Sequence, residues 1–405
     1  MFFKEKEKPN HLSHLRDLST KVKKTNTILI SGNISFTGNS KYFFLELVNK
    51  DVGLKYYFVT YHKNIYENLK KNNLPVILWN DESSLEEFNI LLHSKYVFSD
   101  FDLNPSKEIS NPYHYALTYG AKKISTYHGI TMKRYEVNKE HFLSSDESII
   151  NEFIAKKDVE YFISPNEKTD YIWQNHFYYP KIKFYSNQPI LNGIKENHSD
   201  LELISVDMNI YNETKKRFKD KKVNVIYCPT FRHKNINDNK WINKINFDEI
   251  NNILKSKNIM LFIHFHPGDP NINLKNVKKK ELSNIKFSDV SSDIYPCLKF
   301  TDLLITDYSA ITVDYLKTNK PIIFFRPDHI ENFKSFNHWD LNFYDEIYLE
   351  FQSLKSFFEK FEENYLKLKK DENIKKLNKF KSKVLNIEND LVKNFDIREF
   401  IKILN

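Results

Sequence analysis

The sequence predicts an α/β protein with two Rossmann-like halves, because short apolar runs alternate with helical segments twice along its 405 residues. The clearest unit consists of the apolar run 303–306, the helical segment 310–317 and the apolar run 322–325. A strand, a helix and a second strand in so short a stretch are typical of a parallel sheet. A second observation is that several of the apolar runs are followed directly by small polar or basic residues.

The first half begins with a basic arm and continues as a domain over residues 26–205. Residues 1–25 are predicted to form a helix or arm that packs on the body or touches lipid, because leucines recur at helical spacing among basic residues. Apolar runs of strand length follow, separated by helical segments at 41–49, 65–72 and 85–92. The predicted strands are 27–31, 55–60, 76–78, 96–99, 123–126, 161–164 and 182–185.

The second half is predicted over residues 206–385; it begins within a charged stretch, about 193–222, that holds a predicted helix at 209–218. Helical segments at 247–255 and 294–300 separate its first strands. The Lys- and Glu-rich stretch that follows indicates terminal helices, and residues 386–405 are predicted to hold a C-terminal helix. The predicted strands are 224–228, 259–264, 285–287, 303–306 and 322–325.

Composition excludes several classes of protein. Hydrophobic residues make up 40% of the chain and aromatic residues 15%, which indicates a folded globular protein. Cys228 and Cys297 are too few for a disulfide framework and lack metal-ligand spacing, so we expect buried, reduced thiols. No apolar signal core and no run of about 18 apolar residues is present, so we expect a cytoplasmic protein.

The charge balance favours anionic partners without indicating a nucleic-acid binder. The chain carries 61 basic and 53 acidic residues, a net charge of +8. This moderate excess is spread over several clusters of basic residues. Taken singly, each cluster is predicted to form a solvent-exposed face. Together the clusters could hold the protein against an anionic membrane surface.

Polar residues at strand ends predict a binding site. Ligands of open α/β sheets bind at the carboxyl ends of strands, and these ends meet at one edge of a parallel sheet. The residues that lie just past predicted strands are His128, Thr230 with Arg232, His266, and Asp307 to Ser309.

These residue types suit phosphate chemistry. A helix start at Asp307 to Ser309 offers backbone N–H groups to an anion, although Asp or Ser there can also serve only as an N-cap. Arg232 has a planar guanidinium group that could bind a diphosphate through two hydrogen bonds. His128 could accept a proton at neutral pH, or it could only hydrogen-bond to the backbone of a turn. The spacing of His264 and His266 fits a metal pair, but no third ligand is near, and we predict no metal site.

The motifs, taken in order, resemble the CDP-glycerol glycerophosphotransferase family, which includes teichoic-acid primases and polymerases and capsule polymerases. The resemblance runs from about residue 28 to 330. Tyr127 stands where the family has Trp, and Asn187-Gln-Pro-Ile190 stands where it has Gly-x-Pro-Arg. The segments that carry the resemblance are Ser35–Phe43, Tyr127–Lys133, Tyr227-Cys-Pro-Thr-Phe-Arg232, His266-Pro267, Ile305–Tyr315 and Lys320-Pro321.

The resemblance implies a GT-B architecture, with an acceptor domain and a CDP-donor domain facing a central cleft. It implies transfer of glycerol- or ribitol-phosphate from CDP-glycerol or CDP-ribitol to a cell-surface polymer or lipid-linked acceptor, with release of CMP. The protein would work at the cytoplasmic face of the cell membrane, without a tightly bound cofactor or nucleic acid.

The resemblance also implies roles for single residues. His128 would be the catalytic base, and His266 would contact the donor diphosphate and stabilise charge on the leaving CMP. Asp314, one helical turn after the phosphate-binding turn, would reach the cytidine ribose. The remaining donor-binding residues are Thr230, Arg232, Asp307, Ser309 and Ala310.

Two other functions fit the same sequence. A GT-B glycosyltransferase of capsule or lipopolysaccharide synthesis would release UDP or GDP instead of CMP. A non-catalytic polyanion-binding protein would show steep salt dependence and no nucleotide selectivity.

Overall fold

The computed structural model contains two compact units, each built on a parallel sheet. The first unit comprises the described residues up to 126, those from 159 to 192, and 394–404, and the second comprises those from 193 to 393. The structure describes residues 8–32, 35–80, 82–100, 112–126, 159–170, 182–230, 245–266, 282–307, 309–325, 350–351, 353–388 and 391–404.

The first unit holds a parallel sheet in the order β3-β2-β1-β4-β5-β6-β7. Its strands are β1 (Thr25–Ser31), β2 (Lys55–Thr60), β3 (Val76–Leu78), β4 (Ser94–Ser99), β5 (Lys122–Thr126), β6 (Val159–Ser164) and β7 (Lys183–Ser186). Its first helices are α1 (Lys8–Lys21), α2 (Gly38–Asn49), α3 (Lys63–Lys71), α4 (Leu85–His93) and α5 (Pro112–Leu117).

The second unit holds a parallel sheet in the order β10-β9-β8-β11-β12-β13. Its strands are β8 (Asn224–Cys228), β9 (Met260–Ile263), β10 (Ile285–Phe287), β11 (Leu303–Thr306), β12 (Ile322–Phe325) and β13 (Glu350–Phe351). Its helices are α6 (Met208–Lys219), α7 (Phe247–Ser256), α8 (Tyr295–Leu298), α9 (Ile311–Tyr315), α10 (Leu354–Glu359), α11 (Phe361–Leu368) and α12 (Asp371–Val384). A small hairpin pairs β14 (Ile387–Glu388) with β15 (Leu391–Val392).

The central strands are buried on both faces, which explains why the sequence shows continuous apolar runs. Every residue of β8, β9 and β11 is buried. Side chains alternate between the two faces of a strand, so helices cover both sides of the sheet. Each strand predicted from the sequence overlaps an observed one. The predictions missed β13 and the β14–β15 hairpin, because two-residue strands leave no periodic pattern.

Both ends of the described chain pack on the first unit. The Ser19 hydroxyl of α1 donates to the Leu117 carbonyl at 2.6 Å, so the predicted arm packs on the body. The last helix, α13 (Ile397–Leu404), places the Phe400 ring centroid 5.3 Å from that of Tyr185. The chain passes from one unit to the other between residues 192 and 193, ahead of the crossing predicted at 205/206.

The helices that the structure describes include none with the length and apolar content to cross a membrane.

The start of α2 lies against a buried carboxylate. Asp100 follows β4, and its Oδ2 accepts the Ser40 N–H at 2.9 Å. Burial raises the pKa of Asp100 to about 6, while hydrogen bonds from the helix start oppose the rise. Gly38 has a φ of +70°, and a Cβ there would lie 2.8 Å from Asp100 Oδ2. The first unit therefore uses its own carboxylate to satisfy this helix start.

We expect Gly38→Ala to destabilise the protein more than Gly53→Ala. Both glycines have positive φ, +70° and +68°, so both variants carry the left-handed penalty of about 1–2 kcal/mol. Only Gly38→Ala adds a clash with Asp100, which should cost about 1–3 kcal/mol more. Thermal unfolding midpoints of the two variants measure the difference, and equal midpoints would contradict the contact.

Candidate active site

Three adjacent strands of the second sheet bring Thr230, His266 and Asp307 to one edge. β8 lies between β9 and β11, and all three run parallel. The register pairs Tyr227 with Ile263 and Cys228 with Thr306, so the three strands end at the same level. Neighbouring strands are about 4.8 Å apart, so the residues after these strands form one surface.

Asp307 ties the ends of β8 and β11 together. Its Oδ1 accepts the Thr230 N–H at 2.8 Å and the Thr230 hydroxyl at 2.5 Å. The Thr306 hydroxyl adds a third link by donating to the Cys228 carbonyl at 2.7 Å. Asp307 is fully buried, so water does not compete for its carboxylate, and the two bonds from Thr230 hold that residue in place. The sequence placed both residues at the site, but it did not show that they bind each other.

The two histidines after β9 have different surroundings. His266 is exposed at the sheet edge. His264 is half-buried, with its Nδ1 2.7 Å from Ser288 Oγ, and burial lowers its pKa to about 4. His264 is therefore neutral at neutral pH. The described residues contain no group of three or more His, Cys, Asp or Glu that could hold a metal ion.

The turn between β11 and α9 lies at the same edge. The Ser309 carbonyl accepts the Thr312 N–H at 3.1 Å and the Thr312 hydroxyl at 2.7 Å, which fixes the turn as the helix begins. Ser309 and Ala310 are half-buried and follow the buried end of β11. They therefore lie beside the Thr230–Asp307 pair at the edge of the sheet.

Asp314 lies one turn further on, buried against Tyr295. Its Oδ2 accepts the Tyr295 hydroxyl at 2.6 Å, and burial raises its pKa to about 7. Burial and the neighbouring carboxylate also raise the pKa of Tyr295 well above its usual value. The sequence analysis did not identify Tyr295, because it precedes Pro296 in a four-residue helix that follows no strand directly.

Lys320 of the Lys-Pro motif lies at the opposite edge of the sheet, just ahead of β12. Its Nζ donates to the carbonyls of Lys299 at 2.6 Å and Thr301 at 2.5 Å. Burial lowers the pKa of Lys320 to about 8. This part of the family resemblance therefore lies at the amino edge of the sheet, away from the candidate site.

In the first unit, two other segments of the resemblance contact each other. Asn39, from Ser35–Phe43, accepts the Ile190 N–H on its Oδ1 at 2.9 Å. Asn187 has a φ of 88°, which turns the chain toward this contact. Asn39 thus holds the segment Asn187–Ile190 in place through this hydrogen bond. His128 and Arg232, also predicted for the site, lie outside the described residues.

We expect Asp307→Ala to destabilise the second unit by about 1.5–3 kcal/mol, because it leaves two Thr230 donors without their charged acceptor. Asp307→Asn is the matched control, since its carboxamide oxygen can accept the same two bonds. The free energy of unfolding of the second unit, followed by denaturant titration, compares the variants. Equal losses in Ala and Asn would show that the Thr230 contact does not hold this edge.

We expect Asp314→Asn to become more stable relative to the unchanged protein as pH rises from about 4 to 7. The pKa of Asp314 is raised in the folded state from its ordinary value of 3.8 to about 7, so ionisation costs stability across this window. The Asn variant cannot ionise, yet it can still accept the Tyr295 hydroxyl. Unfolding midpoints at pH 4, 5.5, 7 and 8 test this, and an offset that stays constant with pH would contradict it.

Comparison with known proteins identifies the family of this chain. Residues 13–392 match the model of the CDP-Glycerol:Poly(glycerophosphate) glycerophosphotransferase family. A teichoic acid poly(glycerol phosphate) polymerase of Bacillus spizizenii is 26% identical over 217 residues, which cover 51% of this chain and 51% of that protein. A teichoic acid glycerol-phosphate primase of Bacillus subtilis is 31% identical over 147 residues, which cover 34% and 35%. The chain therefore spans about half or less of the length of these relatives.

A third relative is the teichoic acid poly(ribitol-phosphate) polymerase of Bacillus spizizenii, 39% identical over 115 residues that cover 27% of this chain and 17% of that protein.

Solved structures confirm the predicted fold class. The wall teichoic acid polymerase TagF superposes with a TM-score of 0.66 at 17% identity, covering 98% of this chain and 93% of that one. The Staphylococcus aureus MnaA–UDP structure superposes with a TM-score of 0.53 at 13% identity, covering 95% and 96%. At these identities the likeness concerns the fold alone, which is the GT-B fold. Because the family model spans nearly the whole sequence, the chain belongs to the CDP-glycerol:poly(glycerophosphate) glycerophosphotransferase family.

Proposed function

We propose that the chain transfers glycerol- or ribitol-phosphate from a CDP-activated donor to a hydroxyl of a cell-surface polymer or lipid-linked acceptor and releases CMP. The observation that supports this proposal is the convergence of Thr230, His266 and Asp307 on the carboxyl edge of β9, β8 and β11. The relatives, a poly(glycerol phosphate) polymerase and a poly(ribitol-phosphate) polymerase, support a polymer of glycerol phosphate or of ribitol phosphate as the product.

In this proposal the second unit binds the donor. His266, exposed at the sheet edge, and Arg232 of the same motif set would face the diphosphate with positive charge. The turn at Ser309 and Ala310 would hold a phosphate oxygen. Asp307 would act indirectly, since its contacts with Thr230 hold the end of β8 in place.

The reaction is a substitution at the β-phosphorus of the donor. The acceptor oxygen forms a bond to this phosphorus, and the bond from the phosphorus to the bridging oxygen breaks. The bridging oxygen leaves with CMP, and His128 takes the proton of the acceptor hydroxyl. Cationic groups near the departing CMP stabilise the charge that develops on it.

We also propose that the chain works as a peripheral protein at the cytoplasmic face of the cell membrane. The net charge of +8 supports contact with an anionic surface. A lipid-linked acceptor would be presented at that surface.

Nucleotide release tests the reaction directly. Purified protein is given CDP-glycerol, CDP-ribitol, UDP-sugars or GDP-sugars together with a lipid-linked or polymer acceptor. We expect CMP from a CDP-polyol, and the active donor identifies the polyol. Release of UDP or GDP would establish a sugar transferase instead. Salt-sensitive polyanion binding without turnover of any donor would favour a binding protein.

We expect His128→Ala to lower CMP release at least about 100-fold while donor affinity stays nearly unchanged, because loss of a general base affects the chemical step. His93→Ala is the matched control, since His93 precedes β4 at the opposite sheet edge and its Nδ1 lies 2.9 Å from the Lys23 carbonyl. Turnover rates and donor affinities of both variants are compared. More than about a tenth of the original rate in His128→Ala would exclude this residue as the base.

A further inference from the structure

Tyr295 is a half-exposed aromatic residue at the carboxyl edge of the second sheet. It begins α8, which follows β10 and leads to β11. A helix that follows a strand of a parallel sheet begins at the carboxyl edge of that sheet. Every other residue from Asp293 to Leu298 is buried. Tyr295 is therefore the side chain that this segment exposes at the edge.

The hydroxyl of Tyr295 is buried, although the residue as a whole is partly exposed. Asp314 Oδ2 accepts this hydroxyl at 2.6 Å, and Asp314 itself is buried. Burial, followed by the charge of Asp314, raises the pKa of the hydroxyl well above its usual value. A tyrosine commonly packs its ring and leaves the polar tip in water. Tyr295 has the reverse arrangement, with an anchored tip and an accessible ring.

The backbone of Tyr295 is fixed as well. Its N–H donates to Asp293 Oδ1 at 3.0 Å, and the Asp293 N–H donates to the Ser205 carbonyl at 2.7 Å. Pro296 follows at the start of the helix, where its ring restricts the backbone. The aromatic ring is thus held at both ends before a ligand arrives, which lowers the entropy cost of binding.

The face of the Tyr295 ring is not covered by another ring. Among the residues that the structure describes, no aromatic or cationic side chain packs on it. Other tyrosines of this unit pair with phenylalanines: the Tyr211 ring centroid lies 5.7 Å from that of Phe300, and the Tyr227 centroid 5.9 Å from that of Phe325. An open ring face that reaches solvent suits a flat ligand.

Tyr295 also lies near the turn proposed to hold a phosphate oxygen. Asp314 follows Ala310 by four residues, which is about 6 Å along a helix axis. Because the Tyr295 hydroxyl is bonded to Asp314, the tip of the ring lies about one helical turn beyond the phosphate turn. In a nucleotide, a pentose separates the base from the first phosphate. The ring is therefore close to where the base of a nucleotide bound at this turn would lie.

We propose that the Tyr295 ring is the platform on which the cytosine base of the CDP-activated donor stacks. The inference rests on the proposed function and adds the residue that holds the nucleoside. Stacking on an aromatic face favours every base, so Tyr295 would set how tightly the donor binds and not which base it carries. Loss of the ring should therefore raise the KM for the donor and leave kcat unchanged.

Equilibrium dialysis of the full chain against CDP tests the inference without an acceptor and without turnover. Tyr295→Leu removes the ring, and we expect it to weaken CDP binding at least about fivefold. Tyr295→Phe keeps the ring and removes only the hydroxyl, so its CDP affinity should stay within about twofold of that of the unchanged protein. Both variants lose the bond to Asp314, so the unfolding midpoint should fall in both.

The matched control is Tyr66→Leu in α3 of the first unit. Tyr66 is also half-exposed, and its hydroxyl accepts a hydrogen bond from Lys70 Nζ at 2.8 Å. The control therefore removes a tyrosine with a bonded hydroxyl outside the proposed platform. Its CDP affinity should equal that of the unchanged protein.

Four results would overturn the inference: unchanged CDP affinity in Tyr295→Leu, equal losses of affinity in Tyr295→Leu and Tyr295→Phe, an equal loss in Tyr66→Leu, or a lower kcat of Tyr295→Leu at an unchanged donor KM. Binding of no nucleotide by the unchanged protein would overturn it as well.

CMP release from CDP-polyols, measured on the same samples, reports the proposed function separately. Absence of CMP release together with the expected pattern of CDP affinities would reject the transferase and leave the platform standing. If the unchanged protein binds UDP and not CDP, the proposed function fails, and the same variants measured with UDP still test the platform, because stacking tolerates either base.

Discussion

The candidate site depends on the buried carboxylate of Asp307, which holds the ends of two strands together. Thr230 and Asp307 are 77 positions apart in the sequence, yet two hydrogen bonds of 2.8 and 2.5 Å join them. A buried carboxylate without such donors would carry a large desolvation cost. The pair therefore stabilises the sheet edge where β8 and β11 end.

The first unit repeats this arrangement at the corresponding place. In one sheet the order is β2-β1-β4, and in the other it is β9-β8-β11. Asp100 follows β4 and accepts an N–H from the segment after β1, just as Asp307 follows β11 and accepts an N–H from the segment after β8. The strand order reverses at this point in both sheets, which separates the two loops and leaves a crevice between them. Each unit places an aspartate there to connect the loops.

The two edges of the second sheet carry different side chains, and the two faces of its central strands are buried. Continuous burial of β8, β9 and β11 leaves polar chemistry to the loops at the strand ends. The carboxyl edge carries Thr230, Asp307 and His266, while the amino edge carries Lys320 and a cavity beside α12.

The sequence by itself determined the α/β class, the order of the strands along the chain and the residues that follow them. It could do so because a strand buried on both faces requires an apolar run, and a polar residue after that run must lie at the sheet edge. Only the tertiary structure paired Asp307 with Thr230 and Asp314 with Tyr295, and packed α13 on the first unit. These contacts depend on which strands are neighbours and how helices pack, and the local spacing of residues does not encode either.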